Sequence, residues 1–355
     1  MSNSPTNLLG LAPTALQDFF VELGEAPFRA KQILQWVHQR GISDFDAMTD
    51  ISKALRDKLR DSCIIKAPKI VREQISNDGT IKWLLQLDDF NCVETVYIPE
   101  AKRATLCISS QVGCALNCTF CATATQGFNR NLTVAEIIGQ LWQAKLKAPQ
   151  PITNVVMMGM GEPLLNFDSV TDALALMRSD YAYALPRRRV TLSTSGVVPR
   201  ILELAKTSDV ALAVSLHAAM DELRNILVPI NKKYPVKVLI DACKEYLYLN
   251  TGCDHITIEY VMLRDVNDSI ACAKQLAKVL HGLACKVNLI PFNPYKGSKY
   301  TCSSSATILA FRKVLNDNKI FSFARKTRGD DIDAACGQLA GDFVDRTSRR
   351  AKCAK

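Results

Sequence analysis

Long apolar runs are missing from this chain of 355 residues. No segment approaches the roughly 20 apolar residues that cross a bilayer, so no membrane association is expected. The stretch from Met1 to Pro13 lacks the basic start and apolar core of a secretory signal, so export is not expected either. An even set of cysteines is also lacking. There are 13, scattered from Cys63 to Cys353, which argues against a disulfide framework and fits a reducing cytoplasm. Histidine is scarce, with 4 in the whole chain. What remains is ordinary for a globular protein: 48% hydrophobic and 22% charged residues, enough for one large domain and a small one. The formal net charge of +9 favours a polyanionic partner, though only as a modest excess over this length.

Against this background one octapeptide stands out: Cys114-Ala115-Leu116-Asn117-Cys118-Thr119-Phe120-Cys121. A loop of that size aims three thiolates at one centre. Zinc wants a fourth ligand close by, and no histidine lies within the loop; the nearest are His38 and His217. Three ligands suit a 4Fe-4S cluster with one iron left open for substrate. Four thiolates are the usual set for electron transfer.

Residues 1–65 read as a small helical domain. Pro13 to Phe20 ends at Gly24, Phe28–Gln39 places Ile33, Leu34 and Val37 on one face, and Leu55 and Leu59 mark a third stretch. Residues 66–102 read as a hairpin and strand region packing on the larger domain. Asn77-Asp78-Gly79 turns between Ile70–Ile75 and Ile81–Leu87, and Val93–Ile98 runs on to Pro99. From 103 to 343 strand-like and helical stretches alternate. The strands are Ala104–Ser109, Asn154–Met158, Arg189–Ser193, Ala211–Ser215, Ile256–Met262, Lys286–Ile290 and Ile320–Ala324. The helices are Thr133–Lys147, Asp168–Arg178, Pro199–Lys206, Pro235–Leu249, Ser269–His281 and Ser304–Asn316. Such alternation is an α/β pattern with a parallel sheet, open or closed into a barrel, whose active groups sit at the carboxyl ends of the strands. The cysteine loop follows the first of these strands directly. Residues 344–355 form a polar, basic tail.

Other polar groups fall on the same rim. Gly159-Met160-Gly161-Glu162-Pro163 follows the second strand, where glycines let a backbone approach a ligand closely. Ser193 to Gly196 ends the third strand, and Ser215-Leu216-His217 the fourth. On pattern alone, His217 is as readily a structural histidine, and Glu94, alternating with Val93 and Thr95, a solvated strand carboxylate. Cys107 reads as a core thiol, and Cys336, between Ala335 and Gly337, is not diagnostic.

The cysteine loop with Phe120, followed by the Gly-Glu-Pro turn, resembles the radical S-adenosylmethionine (SAM) superfamily. Longer stretches resemble one family within it, the RlmN family of RNA adenine-C2 methyltransferases: Cys107–Cys114, Gln126–Leu132, Gly159–Asn166 and Arg328–Leu339. The likeness runs from the helical region to about residue 343. It implies an incomplete parallel (β/α)6 radical SAM barrel with a small helical N-terminal RNA-binding domain. It also implies a 4Fe-4S cluster held by Cys114, Cys118 and Cys121, and SAM, used twice per turnover. Gly161, Glu162, Ser193, Ser215, Leu216, His217 and Asn293 would form the SAM pocket. Cys336 would carry the methyl group, Cys107 would be its resolving partner through a disulfide, and Glu94 the general base. The implied substrates are 23S ribosomal RNA and some transfer RNAs, with an electron donor such as flavodoxin.

The chemistry explains the extra cysteines. Carbon 2 of adenine lies between two ring nitrogens and is too electron-poor to attack an electrophilic methyl group. A thiolate is a good nucleophile and can take the methyl first; a radical route must then join it to the base. Attack of a second thiol on the first sulfur frees the product. Three rivals remain at this point: an adenine-C8 enzyme of the Cfr type, a radical SAM enzyme for a small molecule, and a non-enzymatic RNA-binding or electron-transfer protein. Arg187, Arg188, Arg189, Lys296, Lys299, Arg325, Lys326 and Arg328 are candidate phosphate contacts, or simply a solvated basic face. The remaining cysteines read as structural, and Cys353 as an exposed thiol.

Overall fold

The computed structural model describes residues 5–341. The expected basic tail and Cys353 lie outside the described residues. Three helices open the chain: α1 (Pro13–Glu22), α2 (Arg29–Leu34) and α3 (Lys53–Ser62). In α1 a proline at the first turn costs no hydrogen bond, and Leu16 and Phe20, four apart, are buried on one face. The Ser52 hydroxyl caps α3 by accepting from the Leu55 backbone N–H, and Leu55 and Leu59 are buried. The helix expected over Phe28–Gln39 is α-helical only to Leu34; Gln35–Gln39 form one π turn. The wider turn buries three consecutive residues, Trp36, Val37 and His38. They dock on the rest of the molecule: Trp142 Nε1 donates to the Val37 carbonyl at 2.9 Å, and Lys145 Nζ to that of His38 at 2.7 Å.

A short parallel pair, β1 (Thr6–Asn7) and β2 (Cys63–Ile64), closes this helical unit. Next come β3 (Lys69–Ile75), β4 (Ile81–Gln86), β5 (Cys92–Glu100) and β6 (Arg103–Cys107), an antiparallel meander. Beyond a small ribbon, β7 (Gln111–Gly113) with β8 (Phe128–Asn131), come the parallel strands: β9 (Asn154–Met157), β10 (Val190–Thr194), β11 (Ala211–Ser215), β12 (Ile256–Met262), β13 (Cys285–Pro291) and β14 (Ser322–Ala324). The sheet order is β14-β13-β12-β11-β10-β9-β6-β5-β4-β3. It is an open, ten-stranded sheet, parallel from β14 to β6 and antiparallel from β6 to β3. Residues 66–102 therefore extend the barrel's own sheet.

The helices between the parallel strands are α5 (Val134–Lys147), α6 (Phe167–Arg178), α7 (Val198–Thr207), α8 (Asp221–Leu227), α9 (Val236–Leu249), α10 (Ile270–Val279) and α11 (Ser305–Asp317); the one-turn α4 (Ala122–Thr125) comes just after the cysteine loop. Thr133 and Glu136 form a full capping box on α5. Strands covered on both faces become almost wholly buried, as β12 is apart from Thr257. The side of the sheet away from the helices holds the polar groups of the site.

Candidate active site

The cysteine loop is pinched shut by the β7–β8 ribbon, in which Gln111 pairs with Asn131 and Gly113 with Phe128. Cys114 donates its N–H to the Gly127 carbonyl at 2.9 Å. Gly113 has φ +74°, and a Cβ there would lie 1.9 Å from the Gly127 oxygen, so only glycine allows this closure. Phe120 packs edge-on against His217, with ring centroids 4.7 Å apart. Thr119 Oγ1 and the Tyr300 hydroxyl are 2.8 Å apart.

Cys114, Cys118 and Cys121 line one pocket at the carboxyl ends of the strands. Burial pushes the Cys114 thiol up to about 12, with Glu162 and the Cys121 sulfur adding to the rise. Burial, then Cys121 and Cys114, also raise Cys118. Buried sulfurs at Cys114 and Cys118 that resist ionisation in a desolvated pocket suit a cationic iron centre that neutralises them. Among the described residues no three His, Cys, Asp or Glu side chains are grouped as a single metal ion requires. Thiols set apart round a shared pocket fit a multi-iron cluster.

The same pocket is lined by Gly161, Glu162, Ser193, Ser215 and His217, five of the seven residues expected to meet SAM. Leu216 is buried behind it, and Asn293 lines a small adjoining cavity. Gly161 has φ +97°, and a Cβ there would sit 2.5 Å from the Gln111 Cβ. Gln111 meanwhile accepts the Glu162 N–H at 2.8 Å. The Glu162 carboxylate accepts backbone N–H groups from Leu164 (3.1 Å) and Ser195 (2.8 Å). Burial lifts its pKa to about 6 against these hydrogen bonds, so it is mostly ionised at neutral pH and available to an amine. His217 has φ +61°. Burial, with Arg224 adding, lowers its pKa to about 3, so the ring is neutral. Its Nδ1 accepts the Val261 N–H at 3.0 Å, which places the proton on Nε2.

Cys336 lines both the main pocket and the adjoining cavity, and its residue surface is exposed there. Its segment is tied to the helix after the cluster cysteines. Ala122 N–H donates to the Gly337 carbonyl at 2.8 Å, Thr123 Oγ1 to that of Leu339 at 2.5 Å, and Gln126 Nε2 to that of Gly341 at 3.1 Å. Cys107, at the end of β6, is buried outside the main pocket's lining. Burial and then the neighbouring Cys336 sulfur raise its pKa to about 12. No disulfide joins any of the described cysteines, so the expected Cys107–Cys336 disulfide is not formed in this structure. Burial raises the Cys336 thiol as well; the nearby Arg325 guanidinium opposes the rise at both sulfurs.

Glu94 differs from its pattern-based reading. It is buried, not solvated, and its carboxylate is fully engaged. Oε1 is 3.1 Å from Lys82 Nζ, and Oε2 accepts the N–H groups of Ala340 (2.8 Å) and Gly341 (3.3 Å). Arg325, read from sequence among the basic surface groups, is instead half-buried between β14 and Cys336, lining the adjoining cavity. Sequence reasoning missed Glu259. It lies on β12, faces the main pocket and accepts from Asn288 Nδ2 at 2.7 Å. The signal was a lone carboxylate in an otherwise apolar parallel strand.

Residues 6–65 match the family described as "Ribosomal RNA large subunit methyltransferase N-terminal domain", and residues 108–272 the "Radical SAM superfamily". The chain is 56% identical over 355 aligned residues to "Dual-specificity RNA methyltransferase RlmN" from Marinomonas sp. (strain MWYL1), covering 98% of this chain and 96% of that protein. It superposes with a TM-score of 0.88 on a crystal structure titled as a radical SAM methyltransferase from Sphaerobacter thermophilus, at 41% identity, covering 94% of this chain and 99% of that one.

Proposed function

The chain belongs to the RlmN family of radical SAM RNA methyltransferases, and from that premise we propose that it methylates carbon 2 of adenine in 23S ribosomal RNA at the peptidyl-transferase centre, and of the adenine 3′ of the anticodon in some transfer RNAs. The observation that carries this reading is the place of Cys336, which shares one pocket with Cys114, Cys118 and Cys121 while standing next to the Cys107 thiol. A methyl acceptor in the same cavity as a cluster site, with a resolving thiol buried beside that acceptor, is what a two-stage transfer to an electron-poor carbon needs.

Cys114, Cys118 and Cys121 would hold the cluster. Gly161 opens space for SAM, Glu162 meets its amine, and Ser193, Ser215, Leu216, His217 and Asn293 complete the pocket. When bound, the cluster would supply the single electron that radical chemistry on SAM requires, beside a methyl group carried on Cys336.

The protein's own residues do the rest. Cys336 first takes a methyl group from one SAM; burial raises its thiol pKa, with Glu259 adding, and Arg325 opposes that rise and so eases formation of the thiolate. The neutral His217, fixed by Val261, adds no competing cation to the pocket. Once the methyl-derived carbon has joined adenine, the odd electron of the adduct passes to an external acceptor and Glu94 receives the proton from carbon 2. Cys107, as the thiolate, then attacks the Cys336 sulfur: the S–S bond forms, the C–S electron pair passes to the product carbon, which takes up a proton to become the methyl group, and an external reductant restores both thiols. An electron donor of the flavodoxin type and a cytoplasmic setting fit this chemistry. Among the described residues no helix is long and apolar enough to cross a membrane.

Nucleoside mass spectrometry tests the reading after anaerobic reaction of the reconstituted protein with SAM, a reductant and unmodified 23S RNA. 2-Methyladenosine is the expected product. 8-Methyladenosine moves the protein to the C8 chemistry, and no methylated adenosine despite an intact cluster and SAM cleavage overturns the assignment of RNA as substrate.

A further inference from the structure

Of the buried charged groups in the described residues, Lys82 has no part in the chemistry so far. It stands in the middle of β4, where its neighbours Ile81, Trp83, Leu84 and Leu85 are all buried. In the register of the sheet, Lys82 pairs with Val96 on β5, and Val96 with Cys107 on β6. Glu94, two residues from Val96, lies diagonally across from Lys82 on the same face. The resolving thiol, the carboxylate and the ammonium therefore share one face of the sheet.

The ammonium has two partners. It is 3.1 Å from Glu94 Oε1 and donates to the Asp333 carbonyl at 3.2 Å. Asp333 stands three residues before Cys336. Glu94 in turn takes the N–H groups of Ala340 and Gly341, four and five residues after it. The pair grips the cysteine's segment on both sides. The turn of the same hairpin adds to the hold, since Asp331 accepts from the Ser76 hydroxyl (2.5 Å) and the Asn77 N–H (3.1 Å).

Stability does not explain the ammonium. Burying an ion pair costs more desolvation than its attraction usually returns, and an apolar pair of similar volume is often as stable or more so. Both side chains here are close to fully buried, at 8% and 11% exposure. What the pair provides is direction: a carboxylate held at one oxygen by Lys82 and at the other by the segment that carries Cys336 has a single orientation.

We propose that Lys82 is a positioning residue of the methyl-transfer cycle, whose ammonium orients Glu94 and sets the segment bearing Cys336 over Cys107. This rests on the roles proposed above for Glu94, Cys107 and Cys336. The segment must present one sulfur in turn to SAM, to adenine and to Cys107, and the Lys82–Glu94 pair is the fixed point about which it does so.

The test uses the full-length reconstituted enzyme with unmodified 23S RNA. Lys82→Met is expected to lower kcat about tenfold or more with KM for RNA little changed, and to leave protein–RNA adduct visible on denaturing gels. Lys82→Arg, which keeps a charged donor, is expected to restore most of the rate. Turnover by Lys82→Met at the wild-type rate overturns the proposal. So does a loss that follows only the fraction of folded protein and is not relieved by arginine. Should Lys82→Met not fold, Lys82→Gln, which keeps an uncharged donor for the Asp333 carbonyl, is read the same way. A wild-type enzyme that makes no methylated adenosine overturns the underlying assignment instead.

Discussion

Ala122 and Gly337, each the residue just after a functional cysteine, are joined by a 2.8 Å hydrogen bond from the first to the second. It crosses more than two hundred residues of sequence. It sets the Cys336 sulfur, the methyl carrier in the proposed cycle, beside the loop of Cys114, Cys118 and Cys121, so the two halves of the proposed chemistry are assembled by backbone contacts.

In the proposed cycle the two cysteines separate cleanly. Cys336→Ala removes the proposed methyl acceptor and is expected to abolish both methyladenosine and any protein–RNA adduct. Cys107→Ala leaves that acceptor in place and removes the proposed attacking thiol, so adduct is expected to accumulate while free product falls to background. Denaturing gels with labelled RNA, alongside nucleoside mass spectrometry, distinguish the two.

The closure of the cluster loop rests on Gly113. Gly113→Ala forces a side chain into a left-handed conformation and against the Gly127 carbonyl, 1.9 Å from an ideal Cβ. The expected cost is about 1–3 kcal/mol of local stability. Iron and sulfide bound per chain after anaerobic reconstitution should fall, with the far-ultraviolet circular dichroism unchanged.

Gly161→Ala acts on the other ligand. Its Cβ would meet Gln111 at 2.5 Å and displace the side chain that receives the Glu162 N–H. SAM affinity is expected to weaken about tenfold, a loss of about 1.4 kcal/mol, with cluster content retained. Equilibrium binding of SAM to the reconstituted variant measures it.

His38 governs acid stability where the helical unit meets the barrel. Burial, with Lys145 adding, lowers its pKa to about 3 from 6.5. The unfolded chain therefore takes up its proton first, and the stability present above pH 6.5 is lost as pH falls towards the folded value. At pH 5 this amounts to about 2 kcal/mol for this residue. Urea denaturation at pH 7.5 and pH 5 is expected to show a drop that is smaller by about that much in His38→Gln. An unchanged drop would mean that the histidine is not buried neutral.

The alternation of strands and helices was legible because it is local. The parallel strands are mostly apolar, and α5, α10 and α11 are amphipathic stretches opened by side-chain caps at Thr133, Ser269 and Ser304. The π turn at Gln35–Gln39 was not, because it answers to docking against Trp142, Lys145 and Tyr183 and not to local propensity.

By itself the sequence determined the order of elements and the cysteine loop, since three ligands within eight residues need only a turn to bring them together. Glu94, Cys107 and Cys336 came into view only through likeness to a family, as each looks ordinary in its own strand or loop. Their meeting with Lys82, Glu259 and Arg325 was decided by the tertiary structure alone. Sheet order set β4, β5 and β6 side by side, and the segment after β14 folded back across them. Contacts between residues some 250 positions apart leave no periodicity in a chain; they arise only where the backbone hydrogen bonds of one segment are completed by the side chains of another.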